Sequence, residues 1–135
     1  MPPTTSRDFQ RAAEQRLTTA EFLLRYTYTL DATYLAGYTI ECTLKALILE
    51  RTPANDRLDM RKRISSGAHW HRPEVLLGRL RDLGVQLPLA LARRYRRLTW
   101  STDLRYETGR CDTGETRGFL RTASEKLQWV EEQLI

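Results

Sequence analysis

Two charged residues lie in the middle of an otherwise apolar stretch, "YLAGYTIECTLKALIL", which runs from Tyr34 to Leu49. Glu41 precedes Lys45 by four residues, so on a helix the two side chains lie one turn apart on the same face. An exposed pair of this kind contributes only about 0.2 to 0.5 kcal/mol, which does not explain its place in a core-like sequence. Because an unpaired buried charge costs far more, we expect each of the two to have a well-placed partner.

The segment "WSTDLRYETGR" supplies the best partner that the sequence offers for this pair. Arg105 precedes Tyr106, and a planar guanidinium beside aromatic surface is well suited to bind a buried carboxylate. We therefore predict that Arg105 meets Glu41. The mixed face of the helix should be buried against the segment around Arg105 and Tyr106, as a structural polar network of Tyr34, Tyr38, Glu41 and Lys45.

The net charge of the 135-residue chain is +5, and its distribution is uneven. Residues 51–110 contain fourteen Lys and Arg against six Asp and Glu, which gives +8, whereas residues 1–50 and 111–135 carry −1 and −2. Such a basic middle indicates a surface for phosphate or for an acidic protein, although a solvated face has the same composition. The candidate binding residues are Arg93, Arg94, Arg96, Arg97, His71, Arg72 and Tyr106.

The only two histidines, His69 and His71, flank Trp70 in the basic segment. We expect no metal and no cofactor, because no Cys, Asp or Glu cluster near them completes a ligand set. One histidine could position the helix that follows. Alternatively, imidazole, indole and the guanidinium of Arg72 could stack on a base and contact a phosphate of single-stranded RNA.

Apolar residues recur at helical spacing along most of the chain, which predicts an all-α fold, an antiparallel bundle of four to five helices. The first helix starts with Ser6 as N-cap and its buried stripe reaches Tyr28; the second runs from an Asp31 cap through Glu50. A basic loop, "RLDMRKRISSGAHWHR", leads to a short third helix that opens at Pro73 and ends at Gly84. A fourth helix opens at Pro88, with its buried side formed by Leu91, Tyr95 and Leu98. The last begins near Thr116 and has an apolar stripe of Phe119, Leu120, Ala123, Leu127, Val130 and Leu134.

The length suits a single domain, 1–135, and the composition suits a cytoplasmic protein. The start of the chain has no signal-like apolar run, and Glu41 and Lys45 interrupt the longest apolar stretch, so we expect no membrane segment. Cys42 and Cys111 lie far apart with no metal-binding spacing, and both are expected to be reduced thiols.

Three segments together resemble the HEPN domains, a family named for higher eukaryotes and prokaryotes nucleotide-binding: "YLAGYTIECTLKALI", the histidine-containing segment that leads into "HRPEVLLGRLRDLG", and "WSTDLRYE". The resemblance covers roughly Asp8 to Leu134. It implies a helical bundle that forms a homodimer and occurs beside a nucleotidyltransferase or in bacterial toxin–antitoxin and defence operons. Many members of the family are metal-independent RNases.

Those RNases carry an arginine followed after four to six residues by a histidine, near the start of a late helix. The arginine stabilises the charge on the scissile phosphate and the histidine transfers a proton. No histidine follows Arg105 in this chain, and the only match is Arg63 to His69 in "RISSGAH", which lies in the segment between the second and third helices. The candidate catalytic residues are therefore Arg105, His69 and Arg63.

Two functions are compatible with the sequence. The first is a HEPN-like protein that binds nucleic acid or nucleotides. One form of this hypothesis is that the protein is an RNase with a non-standard active site. The second is a non-catalytic helical subunit that dimerises and docks a nucleotidyltransferase or another acidic protein. Toxicity on expression alone favours the first, and a neighbouring nucleotidyltransferase gene favours a paired system.

Overall fold

The structure is a computed structural model that describes residues 2–89, 91 and 102–134. Within them the chain forms α1 (Ser6–Arg25), α2 (Thr29–Arg51), α3 (Arg57–Ile64), α4 (Pro73–Asp82) and α5 (Thr113–Gln133). Short 3-10 helices span Ala54–Asp56, Ala68–His71 and Thr102–Tyr106, and the described residues contain no strand. The predicted all-α bundle is confirmed. None of the helices in these described ranges combines the length and the apolarity that a membrane span requires.

Helix α1 is capped one residue earlier than predicted. The hydroxyl of Thr5 accepts a hydrogen bond from the Asp8 backbone N–H, and the Asp8 carboxylate accepts one from the Thr5 N–H in return. This reciprocal capping box releases Ser6, whose hydroxyl donates to Glu50 instead. The hydrogen bonds from Thr4 and Thr5 lower the pKa of Asp8.

The turn between α1 and α2 also differs from the prediction. Tyr28 is exposed, because α1 ends at Arg25 and Tyr28 is already the residue that precedes α2. Thr27 has a φ of 63°, a left-handed conformation that lets the chain reverse within three residues. Helix α2 therefore begins at Thr29, two residues before the predicted Asp31 cap, and Asp31 lies in its first turn.

The basic segment after α2 is not a loop, as the sequence had suggested. It forms α3 and the 3-10 helix Ala68–His71, and Met60 and Ile64 on α3 are buried in the core. These two residues, one turn apart, give α3 an apolar contact although the rest of its surface is charged.

The third predicted helix, now α4, agrees with the sequence. Pro73 is at its first position, Leu76 and Leu80 are fully buried, and Gly84 ends it with a φ of 80°. The backbone N–H of Val85 donates to the Leu80 carbonyl, which completes a Schellman motif that favours glycine at the left-handed position.

Helix α5 begins three residues before the predicted Thr116, because Asp112 is the N-cap and accepts from the Glu115 N–H. Of the helix predicted to open at Pro88, Leu91 is buried, while Tyr95 and Leu98 lie outside the described residues.

Helix α2 is the centre of the bundle, since α1, α4 and α5 all pack against it. The core combines small and large apolar side chains from every α-helix: Phe9, Leu17, Ala36, Ile40, Leu44, Leu47, Met60, Ile64, Leu76, Leu80, Phe119, Leu120, Ala123 and Val130.

Buried polar groups in the core are paired across helices. Thr43 donates to the Gln10 side-chain oxygen at 2.6 Å, and the Gln10 amide nitrogen donates to the Leu127 carbonyl and to Glu131. These bonds connect α1, α2 and α5 and fix their relative positions, because each group would be costly to bury alone.

Candidate functional site

The charged pair on α2 is buried, as predicted. Glu41 is 5% exposed and Lys45 is 3% exposed, and the lysine Nζ lies 3.0 Å from Oε2 of the glutamate. The spacing of four residues brings the two groups together without any contribution from another element. Both charges are therefore buried, where the loss of one partner is costly.

His71 is the second partner of Glu41. Its Nδ1 lies 3.0 Å from the same oxygen, Oε2, that binds Lys45. The 3-10 helix Ala68–His71 places the ring there, and it is bounded by Gly67, with a φ of 76°, and by Pro73 at the start of α4. The His71 side chain remains 39% exposed, so the ring joins the buried carboxylate to the surface.

Arg105 does not meet Glu41, which corrects the prediction from the sequence. Glu41 Oε2 lies 3.0 Å from Lys45 Nζ and 3.0 Å from His71 Nδ1, and the exposed Arg105 lies over the ring of Tyr106, with 4.9 Å from the guanidinium carbon to the ring centroid. Two nitrogen donors already bind Oε2, so this oxygen has its partners without the guanidinium of Arg105.

Arg105 nevertheless lies in the same neighbourhood. The 3-10 helix Thr102–Tyr106 packs against α2, as we expected for this segment. The pKa of Tyr38 is raised, chiefly by burial and then by its hydrogen bond with Tyr34; the charge of Glu41 adds to the rise and that of Arg105 opposes it. Tyr38 thus lies close enough to interact electrostatically with both the buried carboxylate of Glu41 and the exposed guanidinium of Arg105.

The two tyrosines of the predicted polar network form a pair of their own. Their hydroxyl oxygens are 3.0 Å apart, their ring centroids are 5.0 Å apart, and both side chains are half-buried. The four predicted residues thus share one region of α2, and His71, from the 3-10 helix Ala68–His71, joins them through Glu41.

Arg63 and His69 lie on either side of Trp70. The Arg63 guanidinium carbon is 5.7 Å from the centroid of the indole ring, and the His69 ring contacts it edge-on at 5.6 Å. Both side chains are exposed, whereas Trp70 packs against the core. The structure thus brings the predicted arginine and histidine to one aromatic ring, while the contact with Glu41 is made by His71.

The remaining predicted binding residues are Arg72, Tyr106 and the arginine run that follows Pro88. Arg72 is exposed and directly precedes α4, with no side-chain capping bond. Tyr106 is three-quarters exposed beneath Arg105. The arginine run Arg93, Arg94, Arg96 and Arg97 lies outside the described residues.

The remaining candidates for reactivity are the Cys42 thiol and groups of side chains that could hold a metal ion. Burial raises the pKa of the Cys42 thiol to about 11, so it is protonated at neutral pH and is a poor nucleophile. Across the part of the chain that the structure describes, no three His, Cys, Asp or Glu side chains are grouped so as to hold a metal ion.

Reasoning from the sequence missed two features. His71 was considered for RNA contacts and not as the partner of Glu41, since thirty residues separate them along the chain. The second is Lys126, whose side chain is fully buried on α5; its Nζ donates to the Leu91 carbonyl at 3.0 Å, and burial lowers its pKa to about 8. A lysine on the apolar stripe of the last helix was the only signal for it.

The fold and the site define a small helical bundle with a histidine–glutamate–lysine cluster that runs from the core to the surface. No family model, no curated protein and no solved structure matches this chain. The site must therefore be interpreted from its own geometry.

Proposed function

We propose that the protein is a HEPN-like RNA-binding protein that acts in the cytoplasm as one component of a bacterial toxin–antitoxin or defence pair, and that it cleaves RNA without a metal ion at a non-standard site around His71. The observation that carries the proposal is the 3.0 Å contact between His71 Nδ1 and the buried Glu41. The exposed Arg105 and the basic middle of the chain supply the positive charge that RNA requires.

The histidine–glutamate contact has the arrangement of a general base with an orienting carboxylate. A carboxylate only accepts hydrogen bonds, so Nδ1 of His71 donates to Glu41 and Nε2 of the neutral ring is left as an acceptor. Glu41 fixes the tautomer and stabilises the imidazolium that forms when Nε2 takes a proton. Lys45 donates a second hydrogen bond to the same carboxylate oxygen, at 3.0 Å.

In the proposed reaction, His71 Nε2 removes the proton of a ribose 2′-hydroxyl. The 2′-oxygen attacks the adjacent phosphorus, the bond from phosphorus to the 5′-oxygen breaks, and the leaving oxygen takes a proton from the imidazolium or from water. The products are a 2′,3′-cyclic phosphate and a 5′-hydroxyl. Arg105, exposed above Tyr106, is the candidate to bind the phosphate oxygens as negative charge develops.

The test is cleavage of a labelled single-stranded RNA in the presence of EDTA by the wild type, His71→Ala and His69→Ala. Because general acid–base catalysis contributes about a hundredfold or more, His71→Ala should lower the rate by at least that factor. His69→Ala is the matched control, because it removes a histidine from the same 3-10 helix. The His69 ring contacts Trp70, and within the described residues it makes no hydrogen bond to Glu41.

The outcomes are distinct. A loss of cleavage in His69→Ala but not in His71→Ala would assign the reaction to Arg63 and His69 and contradict the role of His71. Products that end in a 3′-phosphate without a cyclic intermediate would contradict the mechanism. If the wild type neither binds nor cleaves RNA but forms a stable complex with an operon-encoded nucleotidyltransferase, the non-catalytic partner subunit is the correct function.

A further inference from the structure

Trp70 lies between the two histidines of the 3-10 helix Ala68–His71. A 3-10 helix has about three residues per turn, so three consecutive side chains leave it in three different directions. The side chain of His69 is exposed, and that of Trp70 is half-buried and packs against the hydrophobic core. The third, His71, reaches Glu41. The indole is thus an apolar contact that ties this short helix to the core.

The backbone that carries His71 has weak support of its own. The 3-10 helix packs chiefly against α4, the element that directly follows it, whereas Glu41 lies on α2. The hydrogen bond at its end, from the Arg72 N–H to the His69 carbonyl, is long at 3.3 Å, and 3-10 hydrogen bonds have poorer geometry than those of an α-helix. The position of the His71 ring therefore depends on side-chain packing.

Arg63 connects α3 to the same indole. Its guanidinium carbon lies 5.7 Å from the ring centroid, and the side chain is exposed, so the contact is a weak cation–π interaction. Arg63 and His69, the candidate catalytic residues of this segment, thus both contact Trp70, the residue directly before His71. Their common partner is a ring packed against the core.

We propose that Trp70 is a positioning residue for His71. The indole, packed against the core, holds the 3-10 helix so that His71 Nδ1 stays within hydrogen-bond distance of Glu41. Arg63 acts through the indole and not on a substrate. The inference rests on the proposed function only for its effect on RNA cleavage, since the His71 ring can be observed without RNA. A displacement of about 1 Å can lower a rate about a hundredfold, so a small shift of the helix is sufficient.

The first experiment observes the imidazole nitrogens by long-range proton–nitrogen NMR, above the pH range in which histidine titrates. In the wild type, His71 should carry its proton on Nδ1, because this nitrogen donates to Glu41. The exposed His69 should show the tautomer mixture of a free imidazole. Trp70→Ala should convert His71 to that mixture, and Trp70→Phe should retain the wild-type signal because it keeps an apolar ring in place.

Trp129→Ala is the matched control. Trp129, on α5, is also half-buried and packs against the same core. Both alanine variants should lower the urea midpoint, since each removes a large apolar ring, but only Trp70→Ala should change the His71 tautomer. The same change in Trp129→Ala would show general loosening and overturn the positioning role. If circular dichroism shows that Trp70→Ala does not fold, Trp70→Leu, which keeps an apolar side chain without the ring, is measured in its place.

The second experiment measures single-stranded RNA cleavage over a range of RNA concentrations. Trp70→Ala should lower kcat about a hundredfold and change KM less than threefold, because it displaces the base without removing a group that binds RNA. A raised KM with an unchanged kcat would show that the indole binds RNA itself and overturn the inference. Arg63→Gln should lower kcat less than threefold. A hundredfold loss in Arg63→Gln with an unchanged His71 tautomer would make Arg63 a catalytic residue and contradict its assigned role.

Failure of the inference and failure of the proposed function give different results. A wild-type tautomer and a wild-type kcat in Trp70→Ala would overturn the inference, and the proposed function would stand if His71→Ala still abolished cleavage. A wild type that cleaves no RNA would refute the proposed function. Loss of the Nδ1-protonated tautomer in Trp70→Ala alone would still confirm that Trp70 positions His71.

Discussion

Glu41 is the residue on which the cluster depends, since one carboxylate oxygen binds both Lys45 and His71. Its other oxygen, Oε1, is buried and accepts no hydrogen bond from the described residues. The carboxylate therefore has hydrogen-bond partners on only one of its two oxygens. Lys45 and His71 are the partners that stabilise it in the core.

Glu41→Ala should destabilise the protein by about 3 kcal/mol, because it leaves the ammonium of Lys45 buried without its counter-charge. Glu21→Ala is the control: Glu21 is exposed, forms no ion pair in the described ranges, and should cost less than about 0.5 kcal/mol. Urea unfolding followed by tryptophan fluorescence measures both. Equal losses would contradict a structural role for the buried carboxylate.

The sequence was sufficient to predict that the pair on α2 is buried, and insufficient to identify the partner. Burial follows from helical spacing within one segment, which is local information. Whether Arg105 or His71 meets Glu41 depends on where two distant segments pack, and the sequence predicts a loop for the segment of His71. Since α3 and the following 3-10 helix set the position of His71, missing them meant missing the contact.

At the scale of elements, the long helices were predictable and α3 was not. Helices α1, α2 and α5 each have apolar residues repeated over five or more turns, so the sequence predicts their existence. The predicted bounds differ from the observed ones only at the ends, where capping residues such as Thr5 and Asp112 set the first residue of the helix. Helix α3 has only eight residues, and just Met60 and Ile64 reach the core, so its charged composition resembles that of a loop. Tertiary packing, and not local preference, makes it a helix.

Lys126 connects two elements, because its buried Nζ on α5 donates to the carbonyl of Leu91. The pKa of Lys126, lowered by burial from 10.5 to about 8, means that the folded protein loses this proton at a lower pH than the unfolded chain does. Below about pH 8 both states are protonated and the full cost of burying the charge is present. As the pH rises from about 8 to 10.5, the unfolded state binds more protons, so stability increases.

Lys126→Met should remove this pH dependence. Between pH 7 and pH 10 the unfolding free energy of the wild type should rise by about 2 kcal/mol relative to that of the variant. This is most of the free energy that corresponds to the lowering of the Lys126 pKa from 10.5 to about 8. Urea unfolding at both pH values gives this difference, and the tyrosines and thiols, which titrate in the same range, cancel because both proteins contain them. A difference that does not change with pH would contradict the burial of a charged Lys126.

At the scale of the whole molecule, the charge of each segment was predictable and the charge of each surface was not. Arg25 of α1 shares one surface groove with Arg117 and Arg121 of α5, and Glu21 and Glu125 line it too, since only the fold decides which side chains share a surface. The apolar stripe of α5 gives a similar lesson. Phe119, Leu120, Ala123 and Val130 are buried in the core of their own chain, whereas Leu127 and Leu134 pack against it and stay partly exposed.

A homodimer remains a prediction of the proposed function, and its salt dependence can separate it from other associations. The His71 side chain is partly exposed and Arg105 is exposed, and under the proposed function a second copy with twofold symmetry would cover both and double the positive field along an RNA strand. Two basic surfaces repel each other, and salt screens this repulsion. Sedimentation equilibrium should therefore give twice the mass of the 15.8 kDa chain, with tighter association at 300 mM than at 50 mM salt, whereas RNA binding weakens over the same range. A mass that stays near 15.8 kDa at every salt and protein concentration would rule out the shared site.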